Sequence, residues 1–377
     1  MKLSILKAVL VCLAPFLFYQ CSEKKNSVVG LDVLQRENIG SERHAVFQAA
    51  ANDTFFQSTV STGEGLYLFF GKYATVEAKA LIRFDTLTTS GSVDSLVLTF
   101  KKVKTYHQTA GTVTIVVSAL QKDWNEQTMT WNAFDAGFIG NTITTKTIAS
   151  TDTLVEMTLP KQWAPLLVRS TSQTPSYGIL LTTDGRDGLV QTNSIEYGQY
   201  MELKMYVNNS TKSVYPVQDV FISASSQRPD PDRLVVADGT ALRSVLRFNV
   251  GEIPKTAVIG RAYLKLHVDE SLAYPSIQTQ YTVLGFWLKD SLFTQGTISL
   301  DSTKYAEASL DNKMVVLNVT SFVQSWTSGF AKNEGILLGG KYETTDLAGL
   351  SFYSSRADSL NRPSLDVFYT LPPSPAY

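Results

Sequence analysis

The 377-residue chain carries 33 basic and 34 acidic residues, a formal net charge of −1, and only three His and two Cys. Its 39 Thr and 36 Ser make up about a fifth of the chain, aromatics are 11%, and charged residues are 18%, against roughly 25% in typical soluble domains. This near-neutral, hydroxyl-rich composition excludes a nucleic-acid binder running on bulk positive charge, a disordered acidic chain and a multi-span membrane protein.

In chain order, Lys2 and Lys7 form a short positive region, and Ala8 to Phe18 is an unbroken apolar run. Eleven apolar residues are too few to cross a hydrocarbon core, which needs about 20, so the segment reads as an export signal over residues 1–20. It ends at Leu17-Phe18-Tyr19-Gln20-Cys21, and a polar stretch follows. This resembles a bacterial lipoprotein lipobox, departing from it at Phe18 and Gln20. The resemblance implies lipidation of Cys21, a membrane partner reached through that anchor, and a tether over 21–38. Loss of the two signal lysines leaves 31 basic against 34 acidic residues. Both cysteines lie within the first 21 residues, so the remaining chain has no disulfide scaffold, zinc finger or cysteine nucleophile.

The rest of the chain is internally duplicated. Asp53-Thr54-Phe55-Phe56 recurs as Asp219-Val220-Phe221-Ile222, and Leu81-Ile82-Arg83-Phe84-Asp85 as Val245-Leu246-Arg247-Phe248-Asn249. The Ser95–Phe100 strand recurs at Arg261–Leu266, and Tyr177-Gly178-Ile179-Leu180-Leu181 at Glu334-Gly335-Ile336-Leu337-Leu338. Each copy closes on an alternating strand, at Glu202–Tyr206 and Ser364–Phe368. Five collinear matches at a nearly constant offset indicate domain duplication. Period-2 patterning at Val113-Thr114-Ile115-Val116-Val117 and Tyr263-Leu264-Lys265-Leu266-His267 predicts half-buried strands. Asp184-Gly185, Asp238-Gly239 and Gly339-Gly340 read as turns, and Asn208 to Ser213 as a polar hinge. A short helix is expected at Ser321–Ser328, capped by Thr320 or Ser321, with a counterpart at Pro160–Leu167 cut short by Pro165. The predicted fold is all-β: two tandem β-sandwich, jelly-roll domains at 39–209 and 213–371, with a tail at 372–377.

Trp124-Asn125-Glu126-Gln127-Thr128-Met129-Thr130-Trp131-Asn132, the two Arg-Phe strands and Arg362-Pro363-Ser364-Leu365-Asp366-Val367-Phe368-Tyr369 together resemble the DNRLRE domain. That family is a jelly-roll module of secreted and surface bacterial proteins. The resemblance covers nearly all of residues 50–371, though the second copy lacks the paired-Trp segment. It implies binding of carbohydrate, since members include carbohydrate-binding modules, and a structural role for Glu126.

No catalytic grouping stands out. His44, His107 and His267 lack metal-ligand spacing, and no nucleophile elbow or phosphate loop is present. Sugar rings stack on aromatic faces, and Tyr73, Tyr106 and Tyr263 are the candidate ligand contacts, the first two in loop-like stretches and the third out of phase with its strand's core residues. Asp230, Asp232 and Asp238 offer hard oxygen ligands of the type that suits a structural Ca²⁺, although Arg228 and Arg233 can neutralise the same carboxylates; no other cofactor is expected. The expected function is a non-catalytic, lipid-anchored protein of the bacterial cell envelope, at the outer membrane or cell surface, that binds extracellular polysaccharide and no nucleic acid. The alternative is a structural or adhesive component that binds another envelope protein.

Overall fold

The computed structural model describes residues 41–50, 53–85, 93–107, 111–167, 176–198, 201–227, 230, 232–270, 281–289 and 300–373. The export signal, Cys21 and the tether lie outside the described residues. The fold is all-β and built on large antiparallel sheets. The first half runs β1 (Ser41–Gln48), β2 (Thr54–Gln57), β3 (Tyr67–Tyr73), β4 (Val76–Phe84), β5 (Val93–Tyr106), β6 (Thr112–Leu120), β7 (Ile139–Ala149), β8 (Leu154–Leu159), the helical turn α1 (Ala164–Leu167), β9 (Ile179–Thr183), β10 (Gly188–Asn193) and β11 (Glu202–Val207). The second half repeats that order. It runs β12 (Ser210–Val214), β13 (Pro216–Ser225), β14 (Arg233–Ala237), β15 (Leu242–Leu246), β16 (Val258–His267), β17 (Thr282–Leu288), β18 (Leu300–Ser309), β19 (Met314–Asn318), α2 (Thr320–Thr327), β20 (Ile336–Gly340), β21 (Gly349–Tyr353) and β22 (Ser364–Leu371).

The pairings repeat as faithfully as the order. β4 pairs with β9 as β15 pairs with β20, β6 with β7 as β17 with β18, and β5 with β8 and β11 as β16 with β19 and β22. The first two strands of each half are different, because they are exchanged. β2 pairs with β15 of the second half, and β13 runs the length of β4 in the first, from Pro216 opposite Phe84 to Ser225 opposite Val76. Likewise β1 pairs with β22 and β12 with β11. Each Arg-Phe strand is thus covered along one edge by the opening strand of the other copy. An uncovered edge there would present a row of free backbone donors and acceptors.

Burial follows the exchange. Phe221 of β13 is fully buried in the core of the first half, where it meets Phe69 edge-on at 5.1 Å. Phe47 of β1 belongs to the core of the second half, and Phe55 of β2 packs with Val235, Ala237 and Leu242. An aspartate in each exchanged segment, Asp53 just before β2 and Asp219 within β13, ties it to the loop beyond the tenth strand of the receiving half. Asp53 accepts from the Ser355 backbone N–H and hydroxyl, both at 2.6 Å. Asp219 accepts from the Ile195 N–H at 2.9 Å. The repeated arginines are structural too. Arg83 donates to Asp123 at 2.6 Å and to the Trp124 carbonyl at 3.0 Å, and Arg247 donates to the Glu334 carbonyl.

Three local expectations change. The polar segment after Asn208 is a hairpin: Asn208 and Asn209 both have positive φ, 49° and 62°, the geometry of a tight primed turn for which Asn is suited, and Ser210–Val214 continues as a strand. Gly339 and Gly340 lie inside β20. A Cβ on Gly340 would collide with the carboxylate of Asp238 and the hydroxyl of Tyr281, so the glycine makes room for a buried pair. Helix α2 has Val319 at its N-cap position and no side-chain cap; the Asn318 side chain accepts from the Thr320 N–H at 3.2 Å, and the Thr320 hydroxyl accepts from the Ala262 N–H. The Asp53→Ala variant loses two short charge-assisted hydrogen bonds inside the protein, an expected cost of roughly 3 kcal/mol. Denaturant melts should show that loss, and hydrogen exchange should show β1 and β2 losing protection while β13 keeps it.

Candidate ligand-binding face

The four-stranded sheet β1-β22-β16-β19 has one face on the core and one in solvent, and alternation decides which side chains meet each. Ala262, Leu264 and Leu266 point inward. Arg261, Tyr263, Lys265 and His267 point outward and are exposed or half-buried. A bulge between Ile259 and Arg261 sets Arg261 opposite Phe368, the kind of re-aiming that bulges provide.

Cross-strand register assembles two rows on this face. In the first, His44 lies opposite Phe368 and Phe368 opposite Arg261. The imidazole stacks on the phenyl ring at 4.2 Å and 12°, and the guanidinium sits 4.7 Å from the same ring. In the second row, Val46, Asp366, Tyr263 and Asn318 are successive partners. Lys265 donates to Asp366 at 2.5 Å. Rows two residues apart are about 7 Å apart along a strand. The face thus offers a half-buried Tyr ring flanked by a carboxylate and an amide, beside a layered His-Phe-Arg stack. That combination suits a flat, hydroxyl-rich ligand: aromatic surface for C–H faces, and charged or amide groups for hydroxyls. An aromatic recurs at the fifth residue of the closing strand in both halves, as Tyr206 and Phe368, and Tyr206 is 38% exposed.

Of the aromatics singled out in the sequence, Tyr263 therefore lies on this open face. Tyr73 ends β3 half-buried, edge-on to Tyr106 at 6.1 Å. Tyr106 ends β5 rather than lying in a loop, and only 7% of it is exposed. Its hydroxyl donates to Gln191 at 3.2 Å. Burial, then Asp346 and Tyr67, raise its pKa strongly, so it acts as an internal hydrogen-bonding group. His44, Arg261, Asp366 and Phe368 were not singled out in the sequence. The alternation of the closing strand could have pointed to Phe368 and Asp366, whereas His44 reaches the face only through the exchange of β1.

The three aspartates are not brought together. Asp230 and Asp232 precede β14, with Asp230 paired to Arg233 at 2.9 Å and accepting from the Asp232 N–H. Asp238 follows the far end of β14 and is 1% exposed. Among the described residues no group of three His, Cys, Asp or Glu is arranged to hold a metal ion. Glu126 fastens the Trp segment to the exchanged strand. Its carboxylate accepts from the Asp219 N–H at 3.3 Å and from Gln127, and its carbonyl accepts from Ser61. Trp124, buried in the same segment, donates to the Tyr177 carbonyl, and Trp131 carries Lys79 3.7 Å above its ring.

Neither a family model nor a curated protein matches the chain. Among solved structures, the VP2 subviral particle of infectious bursal disease virus aligns at 10% identity over 90% of this chain and 78% of that one, with a TM-score of 0.13. A structure of the Gx strain of the same virus aligns at 12% identity over 88% and 78%, also at 0.13. At such scores the fold description rests on the strand pairing alone.

Two buried carboxyls make stability depend on pH. Burial first, then Glu196 and Glu126, push Asp219 up to about 8. Burial first, then Asp346 and Glu343, push Asp238 up to about 8, against smaller opposing effects of the Tyr342 backbone and Tyr281. The folded chain keeps these protons where the unfolded chain, near 3.8, has released them. Stability therefore falls as pH rises from about 4 to about 8, by at most about 1.4 kcal/mol per pH unit for each group. In urea titrations at about pH 5 and pH 8, Asp238→Asn should reduce that decline; an unchanged decline would mean that Asp238 does not titrate in this window.

Proposed function

We propose that this chain is a non-catalytic, lipid-anchored protein of the bacterial cell envelope, held at the outer membrane or cell surface through Cys21, whose β-sandwich scaffold binds extracellular polysaccharide. The observation that carries the reading is the open sheet face, with Tyr263 between Asp366 and Asn318 and the His44-Phe368-Arg261 layer beside it. The resemblance to DNRLRE modules supports the same ligand class by analogy. The buried repeat residues Asp53, Asp219 and Arg83, together with Glu126 of the Trp segment, support a non-catalytic reading, since all have structural partners.

The second reading, a structural or adhesive protein-binding component, draws on Val46, Val258 and Val316, which are 51%, 63% and 37% exposed on the same sheet. Large exposed apolar areas mark protein contacts. The two readings separate in a binding screen of residues 22–377 on soluble and insoluble glycans. Retention on at least one glycan is expected, with Tyr263→Ala and Phe368→Ala each weakening it about tenfold, or about 1.4 kcal/mol. Absence of retention on every glycan, together with pull-down of one envelope protein, would favour the second reading. Anchoring is tested separately: the full chain should incorporate labelled fatty acid in a bacterial host, and Cys21→Ser should abolish it.

A further inference from the structure

The second half has a cavity on the other sheet, away from the Tyr263 face. It measures about 180 Å³ and is lined by Trp287, Lys289, Lys304, Phe330, Ala331 and Lys332. Three of these six residues are lysines and none is acidic. Trp287 ends β17 with its ring packed against two residues of α2, Phe322 at 5.6 Å and Trp326 at 6.4 Å. Lys304 from β18 lies 4.7 Å from the centre of the same indole. The indole is therefore held firmly in place and has a cation beside it.

Phe330 is the unusual member. Helix α2 ends at Thr327 and is followed by Ser328 and then Gly329, whose φ is +75°, and an apolar residue just past such a stop ordinarily folds back on the last turn. Phe330 is instead 81% exposed. Its position is fixed on both sides, because the Gly329 N–H donates to the Trp326 carbonyl and the Ala331 N–H to the Ser325 carbonyl. Lys332, two residues further on, pairs with Glu334, whose side chain is only 7% exposed while that of Lys332 is 81% exposed. The acid is thus buried and the lysine side chain stays in solvent. In the first half Ala119 stands in place of the indole, pairing with Ile179 as Trp287 pairs with Ile336.

We infer that this cavity is a second binding site, selective for an acidic sugar unit whose ring packs on Phe330 and whose carboxylate or sulfate faces Lys289 and Lys304. The inference rests on the polysaccharide reading above and adds a charge requirement to it. An ammonium cluster favours anions through Coulomb attraction that salt screens, and an exposed aromatic supplies the apolar contact that orients a ring.

Residues 22–377 are tested against polygalacturonate for carboxylates, chondroitin sulfate for sulfate esters, and a panel of neutral glucans, at low and at raised salt. Retention on one of the acidic polymers is expected, weakening at raised salt. Phe330→Ala and Lys289→Glu should each lower it at least about fivefold and leave neutral-glycan binding unchanged. Lys161→Glu, an equal charge change at an exposed residue of the first half, should have no such effect. Which acidic polymer responds identifies the anionic group. Binding of neutral glycans alone, or acidic binding that Phe330→Ala does not alter, overturns this site and leaves the general reading standing. No retention on any glycan overturns both. Because Phe330 and Lys289 are exposed, both variants should melt like the parent, which separates lost binding from lost folding.

Discussion

Covering the edge of the Arg-Phe strand is the constraint on which the rest of this fold depends. In each half that strand has β-neighbours along one edge, β3 and β9 on β4 and β14 and β20 on β15, and needs one for the other. The neighbour comes from the other copy. The arrangement closes on itself, because β1 completes the sheet that ends in β22 while β12 completes the sheet that ends in β11. Neither half as delimited in the sequence contains all the strands of its own sheets. The two exchanges differ in how they are tied: β12 is a direct hairpin continuation of β11, whereas β1 and β2 join the first half only through the segment that leads to β3. The first half is closed locally, and the second is closed by strands from the far end of the chain, at a larger loop-closure cost.

This constraint explains the repeated polar residues. A buried carboxylate is costly unless it is hydrogen-bonded or protonated, so repeated buried aspartates in a sequence with few charges invite a catalytic reading. Here Asp53 and Asp219 fasten the incoming strand to a loop of the receiving half. Asp219 also contributes its N–H to Glu126, so one short segment links the exchanged strand, the Trp segment and the Arg83 network. The residues that make the repeat recognisable are mostly those that hold the exchange together.

The strands themselves were legible because period-2 alternation is a local property; Val113 to Val117 and Tyr263 to His267 lie on strands as their pattern requires. The order of the blocks was legible for the same reason. The exchange was not, since two copies of one strand have equivalent patterns and similarity cannot say which copy pairs with which. The Asn208-Asn209 turn was misread because a polar, proline-free stretch suits a linker and a primed hairpin equally well by composition; the two positive φ values distinguish them. Gly339-Gly340 resembles a turn until Asp238 and Tyr281 are seen occupying the space a side chain would need. Tyr263 was readable from its phase on β16, but the neighbours that make it part of a face come from β1, β22 and β19 and depend on register.

Duplication also bears on where binding can arise. The two halves share a scaffold, so positions that differ between them are free of the shared folding requirement. In the first half the segment after β6 lays Trp124 and Met129 over the outer side of the sheet, against Leu81, Leu180 and Val220. The second half keeps the corresponding apolar positions, Val245 and Leu337, but has no paired-Trp sequence to repeat that cover. Its distinctive aromatics lie elsewhere, at Tyr263 on one sheet and at Trp287 and Phe330 around the other. The equivalent of Tyr263 in the first half is Val97, since Lys204 faces Val97 as Asp366 faces Tyr263. A half that uses its aromatics as internal cover has fewer left for a ligand. On that argument the first half serves mainly to hold and be held by the second, and ligand recognition is concentrated in the half that β1 and β2 complete.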